Sequence, residues 1–357
     1  MNRLEEARKI INEVDKEIAA LFQKRMQAVE DVILYKLENN MPILDSSREK
    51  QVIEKNCAYI TEEKYIESYK EFIQNLMDTS KRYQATIINK GVVAYQGTMG
   101  AFSHIASKKV FPDSKLKSFA TFEDVFKAVA DGAAAYGVIP FENSFTGEVG
   151  EVLDLLLKYD CHISGIYDLK IDQNLLGLKN AEIKDIEKVY SHHQALSQCQ
   201  TFLKGTNFEA IPYPNTALAA KFVSEAGDIH KAAIASRETA ELYGLKILVE
   251  NINTSIENTT RFIILTKKLE EKGDRFNLLF TVDHNAGQLA HIIQIVAEHG
   301  FNMESIKSRS LHNLPWQYFF YVEIVGALKE QKTKDLIEAM RKNCKDLKIL
   351  GSYSVKQ

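Results

Sequence analysis

Residues 1 to about 86 contain no glycine and a single proline, Pro42. A stretch so poor in turn-formers reads as helix throughout. Cysteine is scarce as well. Cys57, Cys161, Cys199 and Cys344 lie far apart and form no Cys-x-x-Cys clip, so reduced thiols and a cytoplasmic location are expected. No apolar run approaches membrane-spanning length, and no membrane role is expected. Charge of one sign is also lacking. A net charge of −3 gives no support for a nucleic-acid or membrane surface. It also means that any bound anion must be held by local Arg and Lys. The opening "MNRLEEARKIINEVDKE" is charged throughout, which reads against a secretory signal. What remains is an ordinary globular composition, 45% apolar and 26% charged over 357 residues, long enough for two or three domains.

Three rhythms follow one another. Residues 1–88 form the helical region. From 91 to 268, short apolar runs such as Val92-Val93-Ala94-Tyr95 and Ala232-Ala233-Ile234-Ala235 alternate with helical stretches, which predicts α/β structure. Over 275–357 the pattern is strand 276–282, helix 287–299, strands 302–309 and 316–325, helix 329–342 and strand 347–354, a βαββαβ ferredoxin-like unit.

In the first helix Leu4, Ala7, Ile11, Val14, Ile18 and Leu21 make a coiled-coil-like seam. The same count places Arg25 where an apolar residue belongs, and Lys36 follows about three turns later on nearly the same face. Unpartnered burial of a guanidinium is costly, so the two cations invite an external anion. Ser46 and Glu49 have capping-box spacing, yet Arg48 opposes the helix dipole. In the third helix Ser80 and Gln84 continue the apolar stripe of Ile66, Ile73 and Met77. Spacing alone is equally served by a dimerising three-helix module with snorkelling cations.

Arg8, Arg25, Lys36, Asp45, Arg48, Glu49, Ser80 and Gln84 resemble the polar pattern of the all-helical chorismate mutases. That resemblance implies an interlocked helical dimer that rearranges chorismate to prephenate. It implies that Arg8 of the partner chain, Arg25 and Arg48 clamp the carboxylates, with Asp45 and Ser80 also at the substrate. Lys36 and Gln84 would bond the ether oxygen and Glu49 the ring hydroxyl. A pericyclic step needs a compact conformer and positive potential rather than a nucleophile. Arg8 and Arg25 lie roughly 100° apart round one helix, which favours a site shared between chains.

In the α/β region "VVAYQGTMGAFSHIAS" reads strand, glycine loop, helix, with Ser103 in the helix's first turn. The dinucleotide pattern Gly-x-Gly-x-x-Gly is absent. Glu142-Asn143-Ser144 and Thr146-Gly147 form a polar loop after a strand, where open α/β sheets bind ligands. Ser191 either begins a helix or serves a site. His192-His193 lacks the companions of a metal site, and Asn215-Thr216 reads as a helix cap.

Glu142-Asn143-Ser144-x-x-Gly147, Ser191-His192-x-Gln194-Ala195-Leu196 and Asn258-Thr259-Thr260-Arg261-Phe262 look like the prephenate dehydratases. That resemblance implies two lobes like a periplasmic binding protein. Prephenate would lose CO2 and hydroxide in the cleft, with no cofactor and no metal. Thr260 would stand at the reacting centre. Arg261 would hold a carboxylate or brace the loop. Asn143, Ser144, Thr146, Ser191 and Gln194 would add hydrogen bonds. Thr98, Ala101 and His193 depart from that family's usual residues, which bears on loop shape.

The final unit resembles an ACT domain, a sensor that implies phenylalanine bound between subunits. Its ligand segments align with Gly287-Gln288-Leu289-Ala290 and Lys307-Ser308-Arg309-Ser310, with Asn302 also fitting. Lys307 and Ser310 replace the usual Glu and Pro, which lowers the expected strength of phenylalanine inhibition. Together the resemblances imply a bifunctional enzyme of phenylalanine biosynthesis, a dimer or tetramer. The rival expectation is a cytosolic regulator that binds a small acid and uses its helices only to dimerise.

Overall fold

The computed structural model describes the chain apart from residues 1, 39–45, 89–90, 256, 312–315 and 355–357, and without the side chains of 37–38, 46–50, 85–86 and 88. Residues 1–90 with 131–133 group as one compact unit, and 91–130 with 134–357 as the other.

In the first unit α1 (Arg3–Glu38) is a 36-residue helix, about 54 Å long. It is followed by α2 (Ser46–Cys57) and α3 (Ile66–Ile88). Ile33, Ile73 and Met77 are buried, while Leu4, Ile11, Val14, Ile18 and Leu21 are exposed, Leu21 to 65%. The seam read from the sequence is thus uncovered within one chain.

The second unit begins with β1 (Val92–Gln96), α4 (Phe102–Val110), β2 (Lys115–Phe119), α5 (Phe122–Ala130), β3 (Tyr136–Asn143), β4 (Gly147–Glu148), α6 (Gly150–Lys158) and β5 (His162–Lys170). The chain then crosses to a second lobe. This holds β6 (Asn174–Gly177), β7 (Lys188–Ser191), α7 (His193–Gln198), α8 (Gln200–Lys204), β8 (Glu209–Pro212), α9 (Thr216–Ala226), β9 (Lys231–Ala235), α10 (Arg237–Tyr243) and β10 (Lys246–Val249). It returns through β11 (Thr259–Thr266). The first sheet runs β2-β1-β3-β11-β5 with β4 beside β3, and the second runs β10-β6-β9-β7-β8. The two crossings are tied together, because Ile171 N donates to Asn258 O at 2.7 Å and Ile252 N to Gln173 O at 2.9 Å.

Continuous apolar runs explain the buried strands. Val93, Val138, Ile139, Ile263 and Leu265 fill the centre of the first sheet, and Val189, Ala232 and Ile234 that of the second. Capping follows the sequence signals. Asn215 Oδ1 accepts from Leu218 N at 2.7 Å to start α9. Thr121 and Asp124 bond reciprocally at the start of α5.

The last module is β12 (Arg275–Thr281), α11 (Gln288–Glu298), β13 (Asn302–Ser310), β14 (Tyr318–Val325), α12 (Gln331–Asn343) and β15 (Asp346–Tyr353). Its antiparallel sheet has the order β13-β14-β12-β15, the ferredoxin-like arrangement. Phe276, Leu278, Val322 and Ile324 pack with the helices. Alternate residues Leu279, Phe319, Tyr321 and Tyr353 are also buried, because the other face packs on the first lobe. Gly351 has to be glycine there, since a Cβ would strike the backbone of Ile163 in β5.

Candidate active sites

β3 and β11 are antiparallel neighbours, with Thr260 opposite Asn143 and Arg261 opposite Glu142. Asn143 is 7% exposed. Its Oδ1 accepts from the backbone N–H groups of Phe145 and Thr146, both at 3.0 Å. That turn fixes the amide's orientation. Nδ2 therefore faces β11, donating to Asn258 Oδ1 and to Thr260 Oγ1, each at 2.9 Å. Because the Thr260 oxygen is the acceptor in this bond, its own hydrogen is left to point elsewhere.

Asn143, Thr146, Gln194 and Thr260 line one cavity of about 420 Å³, a size suited to a small-molecule ligand. Gln194 Nε2 donates to Thr146 Oγ1 at 2.8 Å, a bond from the second lobe to the first. The structure thus brings four of the expected dehydratase residues together. Three others stand outside the lining. Ser144 donates to Glu257 O at 3.1 Å and braces the loop. Ser191 does not begin a helix. It ends β7, fully buried, and donates to Ile234 O at 2.6 Å. Arg261 bonds both oxygens of Asp168 at 2.9 Å, and this pairing raises its pKa. Arg261 is thereby tied to β5, the strand beside its own.

Local Arg and Lys are the expected holders of an anion, and this cavity is lined differently. Among the described residues lining the cavity there is neither. Instead the N-terminal residues of three helices reach it: Ala101, Phe102 and Ser103 at α4, His192 and Gln194 at α7, and Asn215 and Thr216 at α9. First-turn N–H groups lack intrahelical partners and carry partial positive charge, so they attract carboxylates without a formal cation. His192 Nδ1 accepts from Gln194 N at 3.4 Å as the cap of α7. Burial, and next the charge of His193, holds the His192 pKa below its ordinary value.

Gln173 and Gln198 also line the cavity and had no signal in the sequence. They are 2% and 5% exposed, and Gln173 Nε2 donates to Gln198 Oε1 at 3.4 Å. Gln173 Oε1 is buried with no hydrogen-bond partner, which suits an incoming donor. A second cavity of about 440 Å³ is walled by charges that pair among themselves, including Lys109–Glu238 at 3.3 Å and Lys170–Asp172 at 3.1 Å.

In the helical unit, the Arg25 guanidinium donates to Ser80 Oγ, joining α1 to α3. Ser80 is 5% exposed and donates in turn to Leu76 O at 2.8 Å. Burial lowers the Arg25 pKa. Lys36 and Gln84 are half-buried, whereas Arg8 is exposed and has no hydrogen-bonded or ionic partner among the described residues. Asp45 lies outside the described residues, as do the side chains of Arg48 and Glu49.

In the last module Gln288 and Leu289 line a small cavity of about 90 Å³ with Tyr318 and Phe320. Gly287, Ala290, Asn302 and Ser308 do not line it, and Gly287 caps α11 with a φ of 86°, a backbone conformation that favours glycine. Arg309, expected among the effector contacts, is turned instead to the first lobe, where it bonds Asp154.

Comparison with known proteins gives the class first, an enzyme that joins an isomerase to a lyase. Residues 93–270 match the family model of prephenate dehydratase, and residues 7–85 that of chorismate mutase type II. The bifunctional chorismate mutase/prephenate dehydratase of Aquifex aeolicus (strain VF5) is 32% identical, over 99% of this chain and 98% of its own length. That of Buchnera aphidicola subsp. Acyrthosiphon pisum (strain APS) is 31% identical, over 96% and 94%. The prephenate dehydratase of Arthrobacter aurescens, solved in complex with L-Phe, has a TM-score of 0.68 at 24% identity, covering 74% of this chain and 89% of that one; this likeness speaks to the fold. The chain belongs to the bifunctional chorismate mutase/prephenate dehydratase family. None of its described helices is long and apolar enough to cross a membrane.

Proposed function

We propose that the chain carries two consecutive reactions, with domains at 1–88, 91–268 and 275–357. The helical domain rearranges chorismate to prephenate. Arg25, steadied by Ser80, binds a carboxylate, Lys36 and Gln84 stabilise the ether oxygen as its bond breaks, and Glu49 takes the ring hydroxyl. Asp45 and Arg48 complete the pocket with Arg8 of a second copy. The exposed apolar seam of α1 supports such a pairing, and an exposed Arg8 fits a role across it.

In the cleft, prephenate loses CO2 and hydroxide to give phenylpyruvate. The carbon–carbon bond to the leaving carboxylate breaks, its electron pair aromatises the ring, and the ring hydroxyl departs. The observation that carries this reading is the Asn143–Thr260 bond at the edge of a cavity ringed by helix N-termini. It leaves the Thr260 hydrogen available to the departing oxygen. Oriented donation of this kind acts where charge develops. No cofactor enters the reading, and the cytoplasm is the proposed location.

The last module is read as an ACT domain responsive to phenylalanine, with Gln288 and Leu289 forming part of a site completed by another subunit. Its fold and its aligned segments support this. Purified protein given chorismate should release prephenate and then phenylpyruvate, and phenylalanine should slow the second step. Binding of these acids without turnover would favour the regulator instead.

A further inference from the structure

The loop that carries Asn143, Ser144 and Thr146 is held at both ends from outside its own lobe. Lys307 and Arg309 stand two residues apart on β13 and so share a face. Lys307 Nζ lies 2.9 Å from Glu142 Oε1, with the lysine side chain only 12% exposed. Glu142 is the residue before Asn143. Arg309 bonds both carboxylate oxygens of Asp154, in the helix that begins directly after the loop. Gly150, the first residue of α6, lies so close to Arg309 that a Cβ would collide with the guanidinium. Lys348 Nζ donates to Leu156 O at 2.9 Å, at the end of the same helix.

The strand before the loop is shaped for this contact. Between the pairs Arg261–Glu142 and Phe262–Pro140, β3 has one extra residue, Phe141. Such a bulge re-aims a side chain. The Phe141 ring packs against Tyr321 of β14, with centroids 5.2 Å apart, and Lys307 Nζ sits 5.8 Å from its centroid. Neither Lys307 nor Arg309 lines the substrate cavity.

We propose that Lys307 and Arg309 are positioning residues of the dehydratase. Through Glu142 and Asp154 they fix the two ends of the 143–149 loop, and so place Asn143 against Thr260 and Thr146 against Gln194. The C-terminal module is thereby a structural part of the cleft. This rests on the cleft being the dehydratase site. Breaking an ion pair whose lysine side chain is only 12% exposed removes a restraint on the loop, and small misplacements in a catalytic constellation are expensive.

The test is steady-state dehydration of prephenate by the full chain, with its mutase activity as the internal control. Lys307→Glu should raise KM and lower kcat together, with kcat/KM falling about tenfold or more, and leave the mutase unchanged. The double variant Lys307→Glu/Glu142→Lys should recover most of the loss. A simple loss of folded protein would lower kcat at constant KM. Unchanged constants in the single variant would overturn the proposal, as would a swap that stays impaired while the mutase is intact. Should Lys307→Glu not fold, Glu142→Gln takes its place, with the same split expected and the same overturning result. Failure of the unmodified protein to dehydrate prephenate would overturn the dehydratase reading itself, whereas a defect confined to the variants concerns only the link.

Discussion

At the scale of single residues, hydrogen-bond direction decides more than residue type. Asn143 stood out as part of a polar loop after a strand, whereas Thr260 was singled out by the resemblance, since a threonine at a strand start is ordinary β-propensity. Which atom of each faces the cavity was not legible. It depends on the two backbone N–H groups that hold Asn143 Oδ1. Gln173 and Gln198 were illegible for the opposite reason. Each sits in an ordinary-looking segment and meets the other only through the fold. The charge of Arg261 is taken up by Asp168, a partner that sequence spacing does not reveal. His192 supplies a pH test. Its depressed pKa means that the folded state prefers the neutral ring. The unfolded chain takes up the proton first as pH falls below about 6.5. Stability from this residue is therefore complete above that pH and is lost as pH falls through the lower folded value, where protonation also removes the Nδ1 acceptor that caps α7. His192 should titrate below 6.5 by NMR, and His192→Asn, which keeps a cap acceptor, should remove this loss of stability on the acid side. Titration at or above the ordinary value would contradict that.

At the scale of elements, periodicity gave the sequence its clearest voice. The strand and helix sequence of the last module was readable from alternation and helical spacing. The observed β12 at Arg275–Thr281 and α12 at Gln331–Asn343 differ from the expected spans by one or two residues, as helix and strand ends commonly do. Helix N-termini as the source of positive potential were harder to foresee, because convergence of α4, α7 and α9 is a property of the sheets that carry them. The seam of α1 was legible as a pattern, and its exposure in one chain turns it into a prediction. Burying a large aliphatic side chain contributes about 1.5–3 kcal/mol, so an uncovered row of them favours a partner. Leu21→Glu should shift the protein toward smaller species in sedimentation and weaken the mutase, while the cleft retains its chemistry. An unchanged assembly with full mutase activity would contradict the shared-site account.

At the scale of the whole molecule, two compact units match two separate family models, and each contains its own set of polar groups placed against the demands of packing. The second unit also incorporates the C-terminal module, whose central strands β12 and β14 are buried on both faces. Lys307, one of the two residues that depart from the expected effector segment, lies on the side of β13 turned to the first lobe. The structure gives it a local reason in Glu142. The central claim is that the two chemistries are carried by different residues of one chain, and Thr260→Ala protein supplied with chorismate tests it most directly. The account predicts that chorismate is consumed at the unmodified rate and prephenate accumulates, while phenylpyruvate formation falls by about 10²-fold, the scale of a lost donor to a developing charge. Phenylpyruvate released at the unmodified rate, or chorismate left unconsumed, would contradict it.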